Sequence, residues 1–417
     1  MTSETLAIDG GSKTITNKLP SFLTAEGRTF GEEEEDLLLE SIRSGCLSRN
    51  GGRMVLGLEK DFAAAIGVKH AVACSSGTSC VHLAIAALDL EPGDEVIVPP
   101  ITDIGTILPV LWQNAIPVFA DVDPCTMLLD PKSVEANITG KTRAVIAVHL
   151  AGAVCPMDEL QQICSRHKLV LIEDCSQAYW AKYKDKLVGS MGDMACFSLQ
   201  QSKHMTCGEG GLMVTSNDAY SERALLFADK GWPRHSGKMG AFRFLFLSQN
   251  YRMSELNGAV AWAQLGKVSA CVQRRRKAAE SLSAKIADIA GVAPPHVPAG
   301  TAHAYWLYML SINAASGTVA ATFGEALLAE GVPAWVRYIV DPLYMSPVIA
   351  DQKTYGTSGY PFSAFSHQKF ERGLCPNAES ALNSVIAIQW NENYTEEHVS
   401  QIAQAIRKVA AHFQAKK

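Results

Sequence analysis

The stretch 194-MACFSLQQSKHMTCGEGGLMVT-215 places a lysine, Lys203, between two apolar runs. We predict strands over Met194–Leu199 and Leu212–Thr215, joined by a glycine-rich turn that begins at Gly208. Lysine is rarely buried without a partner, so Lys203 either extends to the surface or takes part in chemistry. The segments before and after this stretch decide between the two.

Short apolar runs alternate with helical patterns from Val68 onward. The runs are VKHAVAC, DEVIVPP, AIPVFADVD, TRAVIAVHLAG and LVLIEDCSQA, and an amphipathic helix pattern, CPMDELQQICSRHK, lies between the last two. This alternation predicts an α/β fold with a mostly parallel central sheet covered by helices. In such sheets ligands bind at the carboxyl ends of the strands.

The chain of 417 residues is long enough for two or three domains. We predict a large domain with an N-terminal arm over residues 1–270 and a smaller α+β domain over residues 271–417. A long helix is expected from Glu255 to Ile289, and the basic cluster Arg274, Arg275 and Arg276 is expected on its solvated face.

Composition narrows the class of protein. Hydrophobic residues make up 47% of the chain and charged residues 19%, and the net charge is −5, which argues against a dedicated nucleic-acid or membrane-surface binder. The 11 cysteines form no C-x-x-C pair, and no signal peptide precedes them. We therefore expect reduced thiols and a cytoplasmic protein. No histidine, cysteine and acid cluster has metal-ligand spacing, so no metal is predicted.

A turn of small residues, Ser75-Ser76-Gly77-Thr78, stands between a predicted strand and a predicted helix. Backbone amides and hydroxyls at a helix start bind anions well, which makes Ser76, Gly77 and Thr78 candidates for a phosphate site. The same four residues are also compatible with an ordinary helix cap.

Two charged residues are candidates for the chemistry itself. Asp174 ends a predicted buried strand, where a carboxylate can hold a protonated ring nitrogen of a cofactor or simply cap the next helix. Lys203 follows 29 positions later, and a desolvated lysine loses its proton readily and condenses with an aldehyde. A lysine in a surface loop is the alternative.

The order of these motifs is more specific than any one of them. The Ser/Gly/Thr turn is followed by IEDCSQA, GDMACFSLQQSKHMTCGEGG and NYRMSEL, and GDEVIVPP, PVFADVDP and VHLAG lie between. From about Phe30 to the C-terminus the chain resembles the sugar and cyclitol aminotransferases of the DegT/StrS type, within the fold-type I pyridoxal-phosphate enzymes.

The resemblance implies a role for each matching residue. Lys203 would form the Schiff base with pyridoxal 5′-phosphate and move the proton during transamination, with pyridoxamine phosphate as the second form of the cofactor. Asp174 would pair with the pyridine nitrogen, and Gln177 would lie beside the ring hydroxyl. Gly77 and Thr78, together with Ser198, would hold the phosphate. Asn250 would reach the phosphate in the neighbouring subunit, which implies a homodimer with shared sites.

One position departs from the family pattern. In PPITDIGT the family usually has an aromatic residue that stacks on the cofactor ring, and this sequence has Asp103 there. A carboxylate supplies no π-face. Either another side chain covers the ring, or Asp103 contacts an amine or hydroxyl of the substrate.

The predicted function is transfer of an amino group from L-glutamate or L-glutamine to a keto-sugar, keto-cyclitol or related ketone. Two alternatives remain at this stage. A pyridoxamine-phosphate-dependent sugar dehydratase of the same fold is expected to carry histidine in place of Lys203, and His204 stands next to that position. A non-catalytic pyridoxal-phosphate-binding regulator is the other.

Four further predictions concern the surroundings of the site. His149 is expected to be structural or to lie near the substrate, and Glu209 to orient the Lys203 loop or to cap a turn. Tyr338 is expected to close the mouth of the site. A substrate loop is expected just before Asn250, including His235 and Arg243.

Overall fold

The computed structural model describes residues 4–234, 243–366 and 368–415. Its strands are β1 His70–Cys74, β2 Glu95–Val98, β3 Ile116–Phe119, β4 Thr142–Val148, β5 Val170–Asp174, β6 Lys182–Tyr183, β7 Lys186–Leu187, β8 Met194–Ser198, β9 Gly211–Thr215, β10 Val292–Ala293, β11 Thr301–Ala302, β12 Leu307–Ile312, β13 Ala334–Trp335 and β14 Val385–Gln389.

Its α-helices are α1 Glu32–Ser44, α2 Met54–Ile66, α3 Gly77–Ala87, α4 Leu108–Trp112, α5 Pro131–Ala136, α6 Met157–His167, α7 Asp218–Ala228, α8 Glu255–Leu265, α9 Val268–Ile286, α10 Ala320–Ala329, α11 Pro347–Ala350, α12 Phe362–Phe365, α13 Pro376–Ser384 and α14 Glu396–Ala415.

The larger sheet has seven strands in the order β1-β9-β8-β5-β4-β2-β3. Only β9 runs against the others, since it pairs antiparallel with both β1 and β8. The expected mostly parallel sheet is therefore confirmed. Its strands are buried along most of their length, which explains why they read as continuous apolar runs. The carboxyl ends of β1, β2, β5 and β8 meet at one edge.

A second, antiparallel sheet of four strands has the order β10-β12-β14-β13. It packs with α10, α14 and the later part of α9 around its own hydrophobic core. Leu6 and Ile15 of the N-terminal arm lie in this second core. The predicted boundary near residue 270 falls in the first turn of α9, whose residues Val268 and Val272 belong to the core of the larger sheet.

The prediction of a single long helix from Glu255 onward is wrong about its continuity. The structure has two helices, α8 and α9, which are separated at Gly266 and Lys267. Glycine is a poor helix former, so a break costs least there. Ser254 caps α8 by accepting a hydrogen bond from the Asn257 amide at 3.3 Å.

The basic cluster on α9 is only partly solvated: Arg274 is exposed and Arg276 is half-buried, but the prediction is wrong for Arg275. Arg275 is 1% exposed, and its guanidinium binds Glu392 and three backbone carbonyls. Helical spacing turns the middle arginine of the three toward the core, and it is buried because every charge-bearing group finds a partner.

Helix length and hydropathy together decide whether a helix can cross a membrane. Across the described ranges, no helix is both long enough and apolar enough to cross a bilayer. The cytoplasmic location stays a prediction.

Candidate active site

A cavity of about 500 Å³ opens at the carboxyl edge of the larger sheet. Eight of the nine predicted site residues line it: Ser76, Gly77, Thr78, Asp103, Asp174, Gln177, Ser198 and Lys203. The sheet brings them together because each follows the end of a parallel strand or begins the helix after it. Segments more than 100 residues apart in sequence thus form one pocket.

The N-terminus of α3 forms one end of this pocket. Ser76 caps the helix by accepting a hydrogen bond from the Ser79 amide at 3.0 Å. The amides of Gly77 and Thr78 point out of the first turn and have no acceptor among the described residues. A Cβ on Gly77 would lie 2.6 Å from the Cβ of Ser198, so this contact requires glycine. The arrangement suits a phosphate at the positive end of the helix dipole.

Asp174 lies at the end of β5 and is 5% exposed. Its Oδ2 accepts a hydrogen bond from the Thr106 hydroxyl at 2.8 Å, and its Oδ1 accepts one from the Ser176 amide at 3.1 Å. Thr106 is fixed in turn by the Thr102 hydroxyl at 2.9 Å. A carboxylate oxygen accepts more than one bond, so Asp174 still has capacity for a cationic ring N–H. Sequence reasoning missed Thr106, although it stands in the motif that contains Asp103.

Lys203 is 9% exposed. Burial lowers the pKa of its ammonium group to about 8, although the negative charges of Asp103 and Asp174 partly oppose this. Its Nζ lies 3.7 Å from the ring centroid of Trp306. A lysine with such a pKa is partly neutral near physiological pH, which suits it to attack a carbonyl carbon.

The neighbouring His204 faces away from the pocket. Its Nε2 donates to the Ala304 carbonyl at 3.0 Å, and it is 2% exposed. Burial, with Arg275 as a further contributor, lowers the pKa of His204 well below its usual value, so the ring is neutral. The residue that enters the pocket is therefore Lys203, and the register of the motif is unambiguous.

Gln177 links the two parts of the molecule. Its Oε1 accepts from the Ala151 amide at 2.7 Å, and its Nε2 donates to the Tyr338 hydroxyl at 3.0 Å. Tyr338 follows β13 of the smaller sheet and is half-buried. Tyr338 thus holds Gln177 in place, and its closing of the mouth of the site stays a prediction.

His149 does not line the pocket. It is fully buried, with Nε2 3.1 Å from Glu173 and with Nδ1 accepting from the Cys155 amide. The Glu173 carboxylate also accepts from three backbone amides. Glu173, His149 and Cys175 lie close enough to hold an ion, but the hydrogen bonds already occupy the lone pairs of the carboxylate and the imidazole. We read this group as structural.

Asp103 is exposed at the pocket wall and its Oδ1 accepts from the Gly105 amide at 2.8 Å. Sequence reasoning missed the aromatic residues nearby, Phe22, Trp306 and Trp335, which also line the cavity. They come from the N-terminal arm and the smaller sheet, so no local motif signals them.

Asn250 is the ninth predicted residue and does not line the cavity. It is exposed and forms a bridge with Asp229. Arg243, also exposed, belongs to the expected substrate loop, and His235 lies outside the described residues. The structure therefore does not place Asn250 at the cavity of its own chain.

Known proteins resemble the chain over most of its length. Residues 28–407 match the DegT/DnrJ/EryC1/StrS aminotransferase family. GDP-perosamine synthase of Caulobacter vibrioides is 35% identical over 337 residues, which cover 81% of this chain and 89% of the relative. L-Glutamine:2-deoxy-scyllo-inosose aminotransferase of Streptomyces kanamyceticus is 35% identical over 361 residues, covering 82% and 83% respectively.

A solved structure agrees with these sequences. The crystal structure of 3-amino-5-hydroxybenzoic acid synthase superposes with a TM-score of 0.83 at 26% identity, and the match covers 95% of this chain and 100% of that one. Fold, site geometry and relatives therefore lead to the same conclusion: the chain is an aminotransferase and belongs to the DegT/DnrJ/EryC1/StrS family.

Proposed function

We propose that this aminotransferase moves an amino group from L-glutamate or L-glutamine to a ketone on a sugar, a cyclitol or a related small molecule, with pyridoxal 5′-phosphate as cofactor. The observation that carries the proposal is the nine-tenths-buried Lys203, with a pKa near 8, in one cavity with Asp174 and a helix N-terminus. Relatives named for sugar and cyclitol substrates support the acceptor class.

The described residues fit the cofactor. Ser76, Gly77, Thr78 and Ser198 would hold its phosphate, and the close Gly77–Ser198 contact leaves the amides of the helix free to do so. Asp174 would hold a proton on the ring nitrogen, and the bound cofactor then supplies an electron sink for the substrate carbon.

The chain's own groups move and hold the protons. The neutral amine of Lys203 is the nucleophile toward the cofactor's aldehyde and afterwards the general base and acid for the substrate proton. Thr106 and the Ser176 amide fix the Asp174 carboxylate by hydrogen bonds, and this carboxylate would pair with the ring nitrogen of the bound cofactor. Gln177 is held in place by the Tyr338 hydroxyl and would lie beside the ring hydroxyl of the bound cofactor.

Replacement of the lysine tests the assignment. Lys203→Ala should lose all turnover and the visible absorbance of lysine-bound cofactor, because no other described side chain that lines the pocket carries an amine. Lys186→Ala, at an exposed strand position, is the matched control and should keep both. Normal turnover in Lys203→Ala would refute the role. Release of 2-oxo acid from the donor distinguishes transamination from the dehydratase reaction.

We further propose a homodimer in which Asn250 of one subunit binds the phosphate in the other. Its exposure and its distance from the cavity of its own chain support this. Asn250→Ala and Lys203→Ala should each be inactive alone. After mixing and subunit exchange, a heterodimer has one site with both residues intact, so activity should return to about a quarter of wild type. Mixed subunits that exchange but stay inactive would contradict the shared site.

A further inference from the structure

The backbone on both sides of the Lys203 side chain is held in place. The Lys203 amide donates to the Gln200 carbonyl at 2.9 Å, and the Lys203 carbonyl accepts from the Arg28 guanidinium at 3.0 Å. The preceding residue, Ser202, donates from its amide and its hydroxyl to the Gln200 side chain, at 2.8 and 2.7 Å. Movement of Lys203 is therefore concentrated in its side chain.

An indole face meets the end of that side chain. The Nζ atom of Lys203 lies 3.7 Å from the ring centroid of Trp306, and it has no hydrogen bond or ion pair among the described residues. The negative face of an aromatic ring attracts an ammonium at this distance, and the attraction is stronger where water is excluded. The ring thus takes the place that a carboxylate holds beside most buried lysines.

Trp306 is itself fixed, and part of what fixes it is the loop that carries Lys203. Its Nε1 donates to the carbonyl of Ser202 at 3.0 Å, directly before the lysine. Its ring packs edge-on against Trp335 with 6.4 Å between the centroids, and its carbonyl accepts from Arg275 at 3.3 Å. Trp306 is 9% exposed. The indole therefore keeps a constant position relative to the backbone of Lys203.

Transamination requires Lys203 to leave the cofactor and to return to it. In between, its amine takes up the proton that leaves the donor's carbon and becomes an ammonium, and it is neutral again once it has given that proton to a carbon of the cofactor. A free ammonium in a desolvated pocket is unstable unless a neighbouring group stabilises it. An aromatic face does so more weakly than a carboxylate, so the proton can still be given up.

We infer that Trp306 is a positioning residue of this aminotransferase. Its indole face holds the Lys203 amine whenever the amine is not bonded to the cofactor, and it favours the ammonium form. The inference rests on the proposed function, because a lysine that detaches and returns is the group that needs such a position. Trp306 directly precedes β12, so the smaller sheet also contributes to the proton transfer.

A pH experiment has to separate the ring from the titratable groups around the amine. These groups are Asp103, Asp174, Glu209, Tyr338, Arg28 and His204. Burial raises the pKa of Tyr338 and lowers that of His204, so both side chains are neutral near pH 8. All six stay in the chain when Trp306 is replaced. Variants that differ at position 306 alone therefore compare the ring.

Two shorter side chains separate the charge of the ring from its volume. Trp306→Phe keeps an aromatic face and Trp306→Leu does not, and both admit extra water. The pH midpoint for uptake of pyridoxal phosphate by cofactor-free enzyme, followed by stopped-flow absorbance, should be lower in Trp306→Leu than in Trp306→Phe by about half a pH unit or more. Equal midpoints, or a higher one in Trp306→Leu, would overturn the inference.

A second measurement avoids substitutions that could disturb the fold. Growth with 5-fluorotryptophan replaces all seven tryptophans and weakens the negative charge on each indole face with little change of shape. The midpoint should fall by about 0.2 pH unit or more. In Trp306→Phe the same labelling alters the other rings alone and should leave the midpoint where it was. No fall in the wild type, or an equal fall in both proteins, would contradict the role of Trp306.

Trp262 provides a matched control. Its indole also lies against a cation, with 5.3 Å from the Arg53 guanidinium to the ring centroid, and its Nε1 donates to Asp61 at 2.8 Å. Trp262 does not line the cavity, so Trp262→Leu should keep the wild-type midpoint. Equal shifts in Trp262→Leu and Trp306→Leu would refute an effect within the pocket.

The cofactor-loaded enzyme adds a kinetic test. In single turnover with L-glutamate or L-glutamine, Trp306→Leu should slow the donor half-reaction by about tenfold and change the half-saturating donor concentration by less than about twofold, because the ring holds the lysine and not the donor. Trp306→Phe should recover part of the rate. Equal rates in the two variants, with normal wild-type turnover, would refute the role of Trp306 alone. Wild-type enzyme that takes up the cofactor but forms no 2-oxo acid would refute the proposed function instead.

Discussion

Two buried cations, Lys203 and Arg275, lie in opposite electrostatic surroundings. Arg275 donates to Glu392 at 2.9 and 2.7 Å and to the carbonyls of Tyr305, Trp306 and Trp390. Burial opposes its charge, but Glu392 outweighs burial and raises the pKa of Arg275. Lys203 has an aromatic ring beside it and no ion pair in the described structure, and burial lowers its pKa to about 8.

The difference in surroundings distinguishes a cation with a structural role from one with a chemical role. A cation whose donors are all satisfied keeps its proton and stabilises the packing around it. A cation left without a carboxylate partner gives up its proton readily and becomes a nucleophile. Both residues are basic and both are buried, so burial by itself does not identify the catalytic one. The partners do.

The largest expected effect is on stability at the paired cation. Arg275→Met should lower the free energy of unfolding by about 3–5 kcal/mol, because buried Glu392 loses its closer, hydrogen-bonded partner and keeps only Arg28, at 3.8 Å. Lys203→Met in cofactor-free protein should cost little or raise stability, since it removes a desolvated charge. Urea unfolding measures both. Arg407→Met, at an exposed ion pair, is the control and should cost less than about 1 kcal/mol. Equal losses of unfolding free energy in Arg275→Met and Lys203→Met would contradict the comparison.

The second largest expected effect is a loss of turnover when Asp174, in the pocket of Lys203, is replaced. Asp174→Asn should reduce turnover by about a hundredfold or more, because a neutral amide no longer stabilises the protonated ring nitrogen. Thermal unfolding should change much less, which distinguishes loss of the charge from loss of the fold. Asp193→Asn, an acid that accepts from the Leu171 amide at the other end of β5, is a structural comparison and should affect stability more than turnover.

The smallest effect is a shift in pH dependence. The rate at which cofactor-free enzyme takes up pyridoxal phosphate should rise with pH and reach half its maximum near pH 8, where Lys203 loses its proton. Because Asp103 raises that pKa, Asp103→Asn should move the midpoint to lower pH. Stopped-flow absorbance across pH 6 to 10 measures it. A midpoint that stays fixed, or moves upward, would show that Asp103 does not act on the amine.

The parallel sheet was predictable from local apolar patterns, and the eight lining residues from the ordered motifs together with the family resemblance that these motifs carry. Lys203 and Asp174 each follow a strand, and the sheet places strand ends together. The helix α1, Glu32–Ser44, begins with four glutamates, and acidic residues in the first turn favour a helix at this position.

Contacts between distant segments were not predictable. Trp306 reaches Lys203 across 103 positions, and nothing near it in sequence marks an active-site residue. Arg275 was assigned to a solvated face because its partner, Glu392, is 117 positions away. Neither error concerns helix propensity. Both come from tertiary partners that a single sequence does not reveal.

The donor–acceptor chain at Arg28 has a consequence for how the enzyme is made. Arg28 donates to the Lys203 carbonyl at 3.0 Å and lies 3.8 Å from Glu392, which also binds Arg275. The ribosome releases Arg28 well before it releases Glu392. The wall behind the reactive lysine is therefore completed only after Glu392 has emerged, so a nascent chain that ends before this residue presents no finished site to pyridoxal phosphate.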